Sequence, residues 1–297
     1  MKRIHRSVTS VLVLCLVLTT GLFGQVPQGD PAPVPEAVAI ARPTAGEIAL
    51  AERSLAAFFE TADPAVREIH RKYPGLVAVR VPPPNSAIVP DLAPYFQAKH
   101  QSNLEIARSG NIDVLFMGDS ITDFWRNDTG PYAGKPVLDK YFKDLRIANF
   151  GIAGDTTQGV LYRLRHGEGQ GFSPKAVMLM IGTNNTSRNT AEEIAEGIGA
   201  VVLQLQKDFP KARILLLGIF PRSTPSDPVR ATIARINSII SRLDDGDRVH
   251  YLDIGKAFLD AEGNIPEDVM SDRLHPSAKG YELWAEAVQG PLRKLLR

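Results

Sequence analysis

Ser120 is the residue of this sequence with the clearest potential for covalent chemistry. It lies in GDSITD, residues 118–123, directly after the apolar run VLFM, which predicts the end of a buried strand. In open α/β sheets that edge is where ligands bind. A serine attacks an ester carbonyl only with a base to take its proton, a group that orients the base, and hydrogen-bond donors for the oxyanion. Ser120 is therefore a candidate nucleophile, and the other parts must come from elsewhere in the chain.

The candidate base is a histidine near the C-terminus. Beyond the first 24 residues the chain has five histidines: His70, His100, His166, His250 and His275. His275 lies in SDRLHPSAKGY just before the last predicted helix, with Asp272 three residues earlier. At this spacing in a loop, the carboxylate can reach Nδ1 while Nε2 faces a nucleophile. The alternative for a histidine before a helix is a capping or surface role, but the carboxylate favours catalysis.

Two loops that follow predicted strands offer donors for an oxyanion. NFGIAGDTTQG places Gly154 at a turn before a helix, where a bare backbone N–H can approach a ligand closely. MLMIGTNN sets Asn184 at the same sheet edge, where its amide can donate. With the backbone N–H of Ser120, these groups predict an oxyanion hole of three donors. The alternative for a glycine or an asparagine in a turn is turn chemistry alone.

Four neighbouring residues have less specific interpretations. Asp119 and Asp155 flank the two glycine-containing loops, and we expect them to bond loop amides or cap a helix rather than act as catalytic acids. Trp125 and Arg188 could line the acyl or alcohol side of the site. For both residues the alternative is ordinary packing or a position on the solvated surface.

The elements that must position these residues follow an alternating pattern. Five apolar runs predict strands: 113–117, 146–150, 176–181, 213–220 and 249–254. Helical patterns lie between and after them: 157–165, 191–209, 229–243 and 277–296. Thr190 and Glu193 form a capping box that marks the start of the second of these helices. Strands that are apolar throughout require a parallel sheet covered on both faces, so the fold class is α/β, a three-layer α/β/α sandwich.

The N-terminal third has a different composition. Residues 1–24 combine Lys2 and Arg3 with a short apolar stretch and small residues, which is typical of a cleaved signal peptide rather than of a membrane anchor. The chain's single cysteine, Cys15, lies within it, so the mature chain would lack thiol chemistry. Residues 25–43 are rich in proline and predict a linker, residues 44–94 predict a helical N-terminal extension, and residues 95–297 form the α/β domain.

Composition and rival motifs narrow the function further. The 297 residues carry a formal charge of +1 without a run of basic residues, which gives no reason to expect nucleic acid as a partner. GIAGDTTQG and GEGQG lack the spacing or context of a dinucleotide loop. A metal-dependent hydrolase would use Asp119, Asp123, Asp272 and His275 as ligands, but that reading leaves Asn184 and Gly154 without a role.

Four blocks of this sequence, in order, resemble those of the SGNH hydrolases, also called the GDSL esterase/lipase family. The blocks are GDSIT, NFGIAGD, GTNN and DRLH, and the resemblance runs from about residue 95 to the C-terminus. NFGIAGDTTQGVLYRL followed by GTNN is most similar to the branch of platelet-activating-factor acetylhydrolase catalytic subunits and bacterial acetylesterases. The resemblance implies a flavodoxin-like sheet of five parallel strands, no metal, no cofactor, and an acyl-enzyme mechanism.

In residue terms, the resemblance implies that Ser120 is the nucleophile, His275 the base and then the acid, and Asp272 the orienting group. It implies an oxyanion hole of the Ser120 N–H, the Gly154 N–H and the Asn184 side chain. We therefore expect a secreted or periplasmic serine esterase that hydrolyses short acyl esters. The expected substrates are O-acetyl groups on carbohydrates. A lipid-directed esterase and a non-catalytic binding module on the same fold are the alternatives. We expect no stable membrane insertion once the signal is removed, and the sequence does not fix the oligomeric state.

Overall fold

The computed structural model describes residues 29–81 and 83–297. The predicted signal peptide, with Cys15, and the first residues of the predicted linker lie outside these described residues. Among the residues that are described, no helix combines the length and apolar character needed to cross a bilayer.

The centre of the fold is a five-stranded sheet in which all neighbouring strands are parallel. The strands are β1 (Val114–Gly118), β2 (Ile147–Asn149), β3 (Ala176–Met180), β4 (Arg213–Leu217) and β5 (Val249–Leu252). Their spatial order is β2-β1-β3-β4-β5, which is the flavodoxin-like order. Four of the strands lie within predicted runs and β1 extends one residue beyond its run, to Gly118, so the predicted strands and the parallel sheet are confirmed.

Nine α-helices of the described residues surround or precede this sheet. They are α1 (Ala45–Thr61), α2 (Pro64–Lys72), α3 (Gln97–Ser109), α4 (Ser120–Asp123), α5 (Lys135–Phe142), α6 (Thr157–Arg163), α7 (Ala191–Asp208), α8 (Pro228–Ile240) and α9 (Ala278–Leu295). The predicted capping box is present at α7, where the Glu193 amide donates to Thr190 Oγ1 at 3.2 Å and the Thr190 amide donates to Glu193 Oε2 at 2.9 Å.

The sheet separates two apolar clusters and so forms the middle layer of a three-layer sandwich. On one face, Leu115 and Leu179 belong to a cluster with α6, α7 and α8. On the other face, Phe116 and Met178 belong to a cluster with α5 and α9. Because successive residues of a strand point to opposite faces, a strand buried on both sides must be apolar at every position. The predicted α/β/α architecture is confirmed.

The described part of the predicted linker packs against the domain. Residues 29–43 contain no strand or α-helix, only a short 3-10 helix at Glu36–Val38, and Ala32 and Val38 are buried in the core. Its last residues reach the buried carboxylate of Glu196 on α7, which accepts hydrogen bonds from the Ile40 amide at 2.7 Å and from the Arg42 guanidinium at 2.6 and 2.7 Å. Apolar burial and a charged clamp therefore hold this segment in place.

The helices α1 and α2 form the body of the predicted extension and bury no residue of their own. After them the chain returns to Glu196, where Asn85 Nδ2 donates to Oε2 at 2.9 Å. Burial alone would raise the pKa of Glu196, but the hydrogen bonds from Arg42, Ile40 and Asn85 hold it below its usual value.

The segment that follows Asn85 also folds with the sheet. Ala87, Ile88 and Val89 are buried, and the Ala87 carbonyl accepts a hydrogen bond from Thr157 Oγ1 at 2.7 Å. The domain limits at residues 43 and 94 stay predictions. The packed part of the chain, however, begins before residue 95, because short apolar side chains on both sides of α1 and α2 find places in the core.

Candidate active site

Ser120 stands where β1 ends and the short helix α4 begins. The turn between them needs Gly118, because a Cβ there would lie 2.3 Å from both the Met180 carbonyl oxygen and Thr122 Oγ1. Asp119 caps the helix by accepting a hydrogen bond from the Ile121 amide at 3.0 Å. The serine is thereby fixed at the carboxyl end of a central strand, as its sequence context predicts.

His275 and Asp272 lie in the loop before α9 and face Ser120. His275 Nε2 is 2.9 Å from Ser120 Oγ, and His275 Nδ1 is 2.6 Å from Asp272 Oδ2. The other carboxylate oxygen, Oδ1, accepts hydrogen bonds from the backbone amides of Leu274 at 3.0 Å and His275 at 2.8 Å. The loop therefore builds a compact dyad, and the structure brings together all three residues predicted for proton transfer.

Asp272 is held in its charged form by this loop. Burial alone would raise its pKa, but hydrogen bonds from the His275 amide, the His275 ring and the Tyr132 hydroxyl keep the pKa below its usual value. A carboxylate that stays ionised can orient the imidazole and stabilise its protonated form.

Tyr132 is a residue near the site that sequence reasoning missed. Its hydroxyl donates to Asp272 Oδ2 at 2.9 Å, and its ring centroid is 5.1 Å from that of His275. Phe124 completes a cluster of three rings, with its ring centroid 5.6 Å from that of Tyr132 and 5.1 Å from that of His275. The loop of Tyr132 is irregular and distant in sequence from Asp272, so no spacing rule predicts the contact.

Replacing Tyr132 with phenylalanine removes only the hydroxyl that restrains Asp272. We expect kcat on a small acetate ester to fall about five- to tenfold, with KM changed by less than about twofold, since a hydrogen bond to a charged group contributes about 1.5–3 kcal/mol at most. The control is Tyr141→Phe, which loses a similar bond to Glu286, 2.9 Å long, far from Ser120. Equal kcat values for the two variants would contradict a positioning role for Tyr132.

The two predicted donor loops lie at the same edge of the sheet as Ser120. The amide of Ile152 donates to the Gly118 carbonyl at 3.2 Å, which ties the first loop to the end of β1. Gly154 is exposed and has a φ of +85°, a conformation that a residue with a side chain rarely adopts. Asn184 Nδ2 donates to the Asp155 carbonyl at 2.8 Å, which leaves its second hydrogen for a ligand. The structure thus joins both loops beside the serine.

A buried charged cluster anchors the loop of Gly154 from below. Arg163 pairs with Asp155 Oδ2 at 2.8 Å and with Glu168, and Glu168 Oε1 lies 2.8 Å from His100 Nδ1. Asp155 Oδ1 also accepts a hydrogen bond from the Thr156 amide at 2.8 Å. As predicted, Asp155 has a structural role, because Oδ1 bonds a loop amide and Oδ2 ties the loop to Arg163 on α6.

Asp119 is completely buried, and its environment predicts a measurable effect on stability. Burial, together with the charge of Asp155, raises the pKa of Asp119 to about 7. The pKa of Asp119 is higher in the folded protein than in the unfolded chain, so its protonated form stabilises the fold. This contribution to the free energy of unfolding is complete below about pH 4 and is lost as the pH rises towards 7.

Asp119→Asn keeps the capping oxygen and cannot ionise. As the pH rises from 5 to 8, only the wild type loses the contribution of protonated Asp119. We expect the free energy of unfolding of the variant to rise relative to that of the wild type by about 2 kcal/mol over this interval, or about 5 °C in Tm. Thermal unfolding of both proteins at pH 5 and pH 8 measures the difference in Tm between variant and wild type at each pH. The other titrating groups are the same in both proteins, so their effects cancel in this difference. A difference in Tm that does not change with pH would contradict the raised pKa.

Three other histidines and Trp125 make contacts that do not involve Ser120. His70 stacks on Phe59, His166 bonds the Tyr162 carbonyl, and His250 bonds the Asp247 carbonyl. Trp125 does not line the site, because it is buried among Phe116, Phe142, Tyr281 and Trp284. Arg188, in contrast, is exposed and lines a cleft beside Gly154 and Asn184.

The residues of the rival metal site are not arranged as ligands. Asp123 pairs with Arg126 and accepts a hydrogen bond from the Ala153 amide at 3.0 Å, while Asp119 caps α4. Within residues 29–81 and 83–297, no group of three or more histidine, cysteine, aspartate or glutamate side chains has the arrangement of a metal site.

Comparison with known proteins agrees with this geometry. A family model described as the GDSL-like lipase/acylhydrolase family matches residues 116–283. Platelet-activating factor acetylhydrolase IB subunit alpha1 of Rattus norvegicus is similar to this chain, with 36% identity over 191 residues, which is 62% of this chain and 76% of the relative. Subunit alpha2 of Homo sapiens has 37% identity over 170 residues, 57% of this chain and 71% of the relative.

Solved structures show the same fold. A candidate acylhydrolase from Bacteroides fragilis has a TM-score of 0.54 at 21% identity and covers 68% of this chain and 97% of its own. A GDSL-like lipase from Bacteroides thetaiotaomicron has a TM-score of 0.52 at 17% identity and covers 67% and 97%. At these identities the likeness concerns the fold.

Proposed function

This chain belongs to the GDSL-like lipase/acylhydrolase family and is a carboxylic ester hydrolase, and we propose that it works through Ser120 as a serine esterase of short acyl esters. The observation that carries the proposal is the line of contacts from Ser120 Oγ to His275 Nε2, 2.9 Å, and from His275 Nδ1 to Asp272 Oδ2, 2.6 Å. A hydroxyl, an imidazole and a carboxylate in this order can transfer a proton away from an attacking oxygen.

In the proposed mechanism, Ser120 Oγ attacks the ester carbonyl carbon while its proton passes to His275 Nε2. The carbonyl oxygen becomes an oxyanion that accepts hydrogen bonds from the Ser120 N–H, the Gly154 N–H and the Asn184 side chain. One such donor stabilises the transition state by about 3–4 kcal/mol. The intermediate collapses, the alcohol leaves with the proton from His275, and water repeats the sequence to release the acid and free Ser120.

The proposed substrates are acetyl esters, and the preferred candidates among them are O-acetyl groups on carbohydrates. The similar proteins bear the name platelet-activating factor acetylhydrolase, which supports the acetyl group but favours a lipid alcohol. The cleft beside Gly154 and Asn184 supports the carbohydrate, since most of its side chains are polar. The lipid-directed esterase remains the second candidate.

A comparison of four esters tests the proposal. We expect kcat/KM to be highest on an acetylated xylo-oligosaccharide and lower on an acetyl phospholipid. It should be lowest on an octanoate ester, whose control is the acetate ester of the same alcohol. A preference for the phospholipid would favour the second candidate. A preference for octanoate over acetate would contradict the short-acyl proposal.

We also propose that residues 1–24 direct export and are then removed. The support is the order of basic, apolar and small residues at the N-terminus. N-terminal sequencing of the protein recovered from outside the cytoplasm should begin close to residue 22 or 25, and recovery of the intact N-terminus would contradict cleavage.

A further inference from the structure

The cleft beside Gly154 and Asn184 adjoins the proposed oxyanion hole and takes no part in the bond-making and bond-breaking steps described above. It has a volume of about 190 Å³ and shares Gly154 and Asn184 with the oxyanion hole. One wall comes from residues 91–96, before the sheet begins, and the other from the loops after β2 and β3. A group bound here lies next to the ester carbonyl that the oxyanion hole would hold.

The wall from residues 91–96 presents an aromatic ring to solvent. Tyr95 is 76% exposed, more than any other large hydrophobic side chain of the described residues, although it directly precedes the buried Phe96. The Tyr95 and Phe96 ring centroids are 4.2 Å apart, and Phe96 lies under Gly154, 3.6 Å from where a Cβ on that glycine would be. Phe96 therefore fixes the segment to the oxyanion loop, and Tyr95 is left at the rim of the cleft.

The opposite wall is polar and already organised. Asn185 Nδ2 donates to Gln158 Oε1 at 2.9 Å and to Asn189 Oδ1 at 3.2 Å, while Asn185 Oδ1 accepts from the Thr157 amide at 3.1 Å. With Oε1 engaged, the Nε2 hydrogens of Gln158 are the group left to donate to a ligand.

Charged and hydroxyl groups lie on both walls of the cleft. Asp91 offers acceptors on one wall, and the exposed Arg188 offers donors on the other. Ser187 Oγ donates to the Asn184 carbonyl at 3.4 Å and offers an acceptor. A ligand with several hydroxyl groups can use donors and acceptors together. A hydrocarbon chain would instead require an apolar groove, and it would leave these polar groups without partners.

We infer that this cleft is a subsite for one sugar ring of an acetylated glycan, with Tyr95 stacking on the ring's apolar face and the polar wall bonding its hydroxyls. The inference rests on the proposed esterase function and names the groups that select its alcohol. An aromatic surface with one wet edge suits a ligand that is apolar on its face and polar at its rim. The volume lies below the roughly 300–1,000 Å³ of pockets for drug-sized ligands, which fits a single ring.

The subsite draws on residues outside the family match. Tyr95 and Phe96 precede residues 116–283, which the family model covers. The segment before the sheet therefore adds a recognition surface to a catalytic centre that the matched region holds on its own.

The test compares Tyr95→Ala with the wild type on an acetylated xylo-oligosaccharide and on p-nitrophenyl acetate, which has no sugar ring. We expect kcat/KM to fall about tenfold more on the oligosaccharide than on the nitrophenyl ester, a difference of about 1.4 kcal/mol, because only the sugar loses its stacking partner. Tyr95→Phe keeps the ring and should stay within about twofold of the wild type on the oligosaccharide. Tyr73→Ala, which removes an exposed tyrosine far along the chain from the cleft, is the matched control and should keep wild-type rates.

A second measurement separates binding from catalysis. A deacetylated xylo-oligosaccharide should inhibit the wild type competitively and inhibit Tyr95→Ala about tenfold more weakly. Equal losses on both substrates, or unchanged inhibition, in an enzyme that hydrolyses both esters would overturn the subsite and leave the esterase standing. A wild-type enzyme inactive on every ester would overturn the proposed function itself, and the subsite with it.

The same variants test an anionic headgroup as the occupant. The guanidinium of Arg188 could pair with a phosphate. If Arg188→Gln lowers kcat/KM on an acetyl phospholipid more than on the oligosaccharide, while Tyr95→Ala affects neither, the cleft serves a phosphate and the sugar subsite is overturned.

Discussion

Ser120→Ala should lower kcat on p-nitrophenyl acetate by at least about 10⁴-fold, the order of magnitude seen when a serine nucleophile is removed. The alanine has no atom that can form the acyl intermediate. The donors of the oxyanion hole and the imidazole remain, so a small residual rate above the uncatalysed reaction is expected. Purified variant and wild type are compared at equal concentration, with their Tm values to establish folding.

Ser241→Ala is the matched control, since Ser241 is a surface serine whose Oγ bonds the Ser238 carbonyl at 3.0 Å. It should keep the wild-type rate. Retention of more than about 1% of the rate in Ser120→Ala would contradict Ser120 as nucleophile. A wild type without any esterase activity would instead favour the non-catalytic binding module.

Asp272→Asn is expected to lower kcat by about 10³- to 10⁴-fold with little change in Tm. Asp272 Oδ1 already accepts from the amides of Leu274 and His275, so the oxygen of an asparagine would stay at that position. Its NH₂ group would then face His275 Nδ1, which must become an acceptor. The ring proton moves to Nε2, and Nε2 can no longer accept the proton of Ser120.

Asp268→Asn provides the control for Asp272→Asn. Asp268 lies four residues earlier and pairs with Lys279 at the surface, at 2.5 Å. It should leave kcat within about twofold of the wild type, because an exposed ion pair contributes at most about 1 kcal/mol. A loss smaller than tenfold in Asp272→Asn would show that the imidazole does not depend on this carboxylate.

The sheet and the three proton-transfer residues were predictable from the sequence because each depends on local signals. The apolar runs of β1 and β3 are buried at every position, and a strand of that kind occurs where helices cover both faces. His275 and Asp272 share one loop, so their contact follows from a spacing of three residues. Ser120 follows β1 directly, which puts it at the edge where such loops meet.

Contacts between distant irregular segments could not be predicted in this way. Tyr132 reaches Asp272 from a loop 140 positions earlier, and no periodic pattern marks that loop. Trp125, only five residues after Ser120, turns into the core, because the turn at α4 and not the distance along the chain sets its direction. Residues 85–94 belong to the predicted helical extension, yet Ala87, Ile88 and Val89 are buried in the fold, and Asp91 and Ala93 line the cleft.

The helices α1 and α2 form a two-helix segment whose two ends are both held by Glu196. The path leaves the domain at Arg42 and rejoins it at Asn85, and both ends bond the same carboxylate. A protease cut between residues 45 and 81 would therefore yield two fragments that stay associated, since Ala32 and Val38 keep the shorter one seated in the core. Because α1 and α2 bury no residue of their own, changes in their length should leave the catalytic edge of the sheet undisturbed.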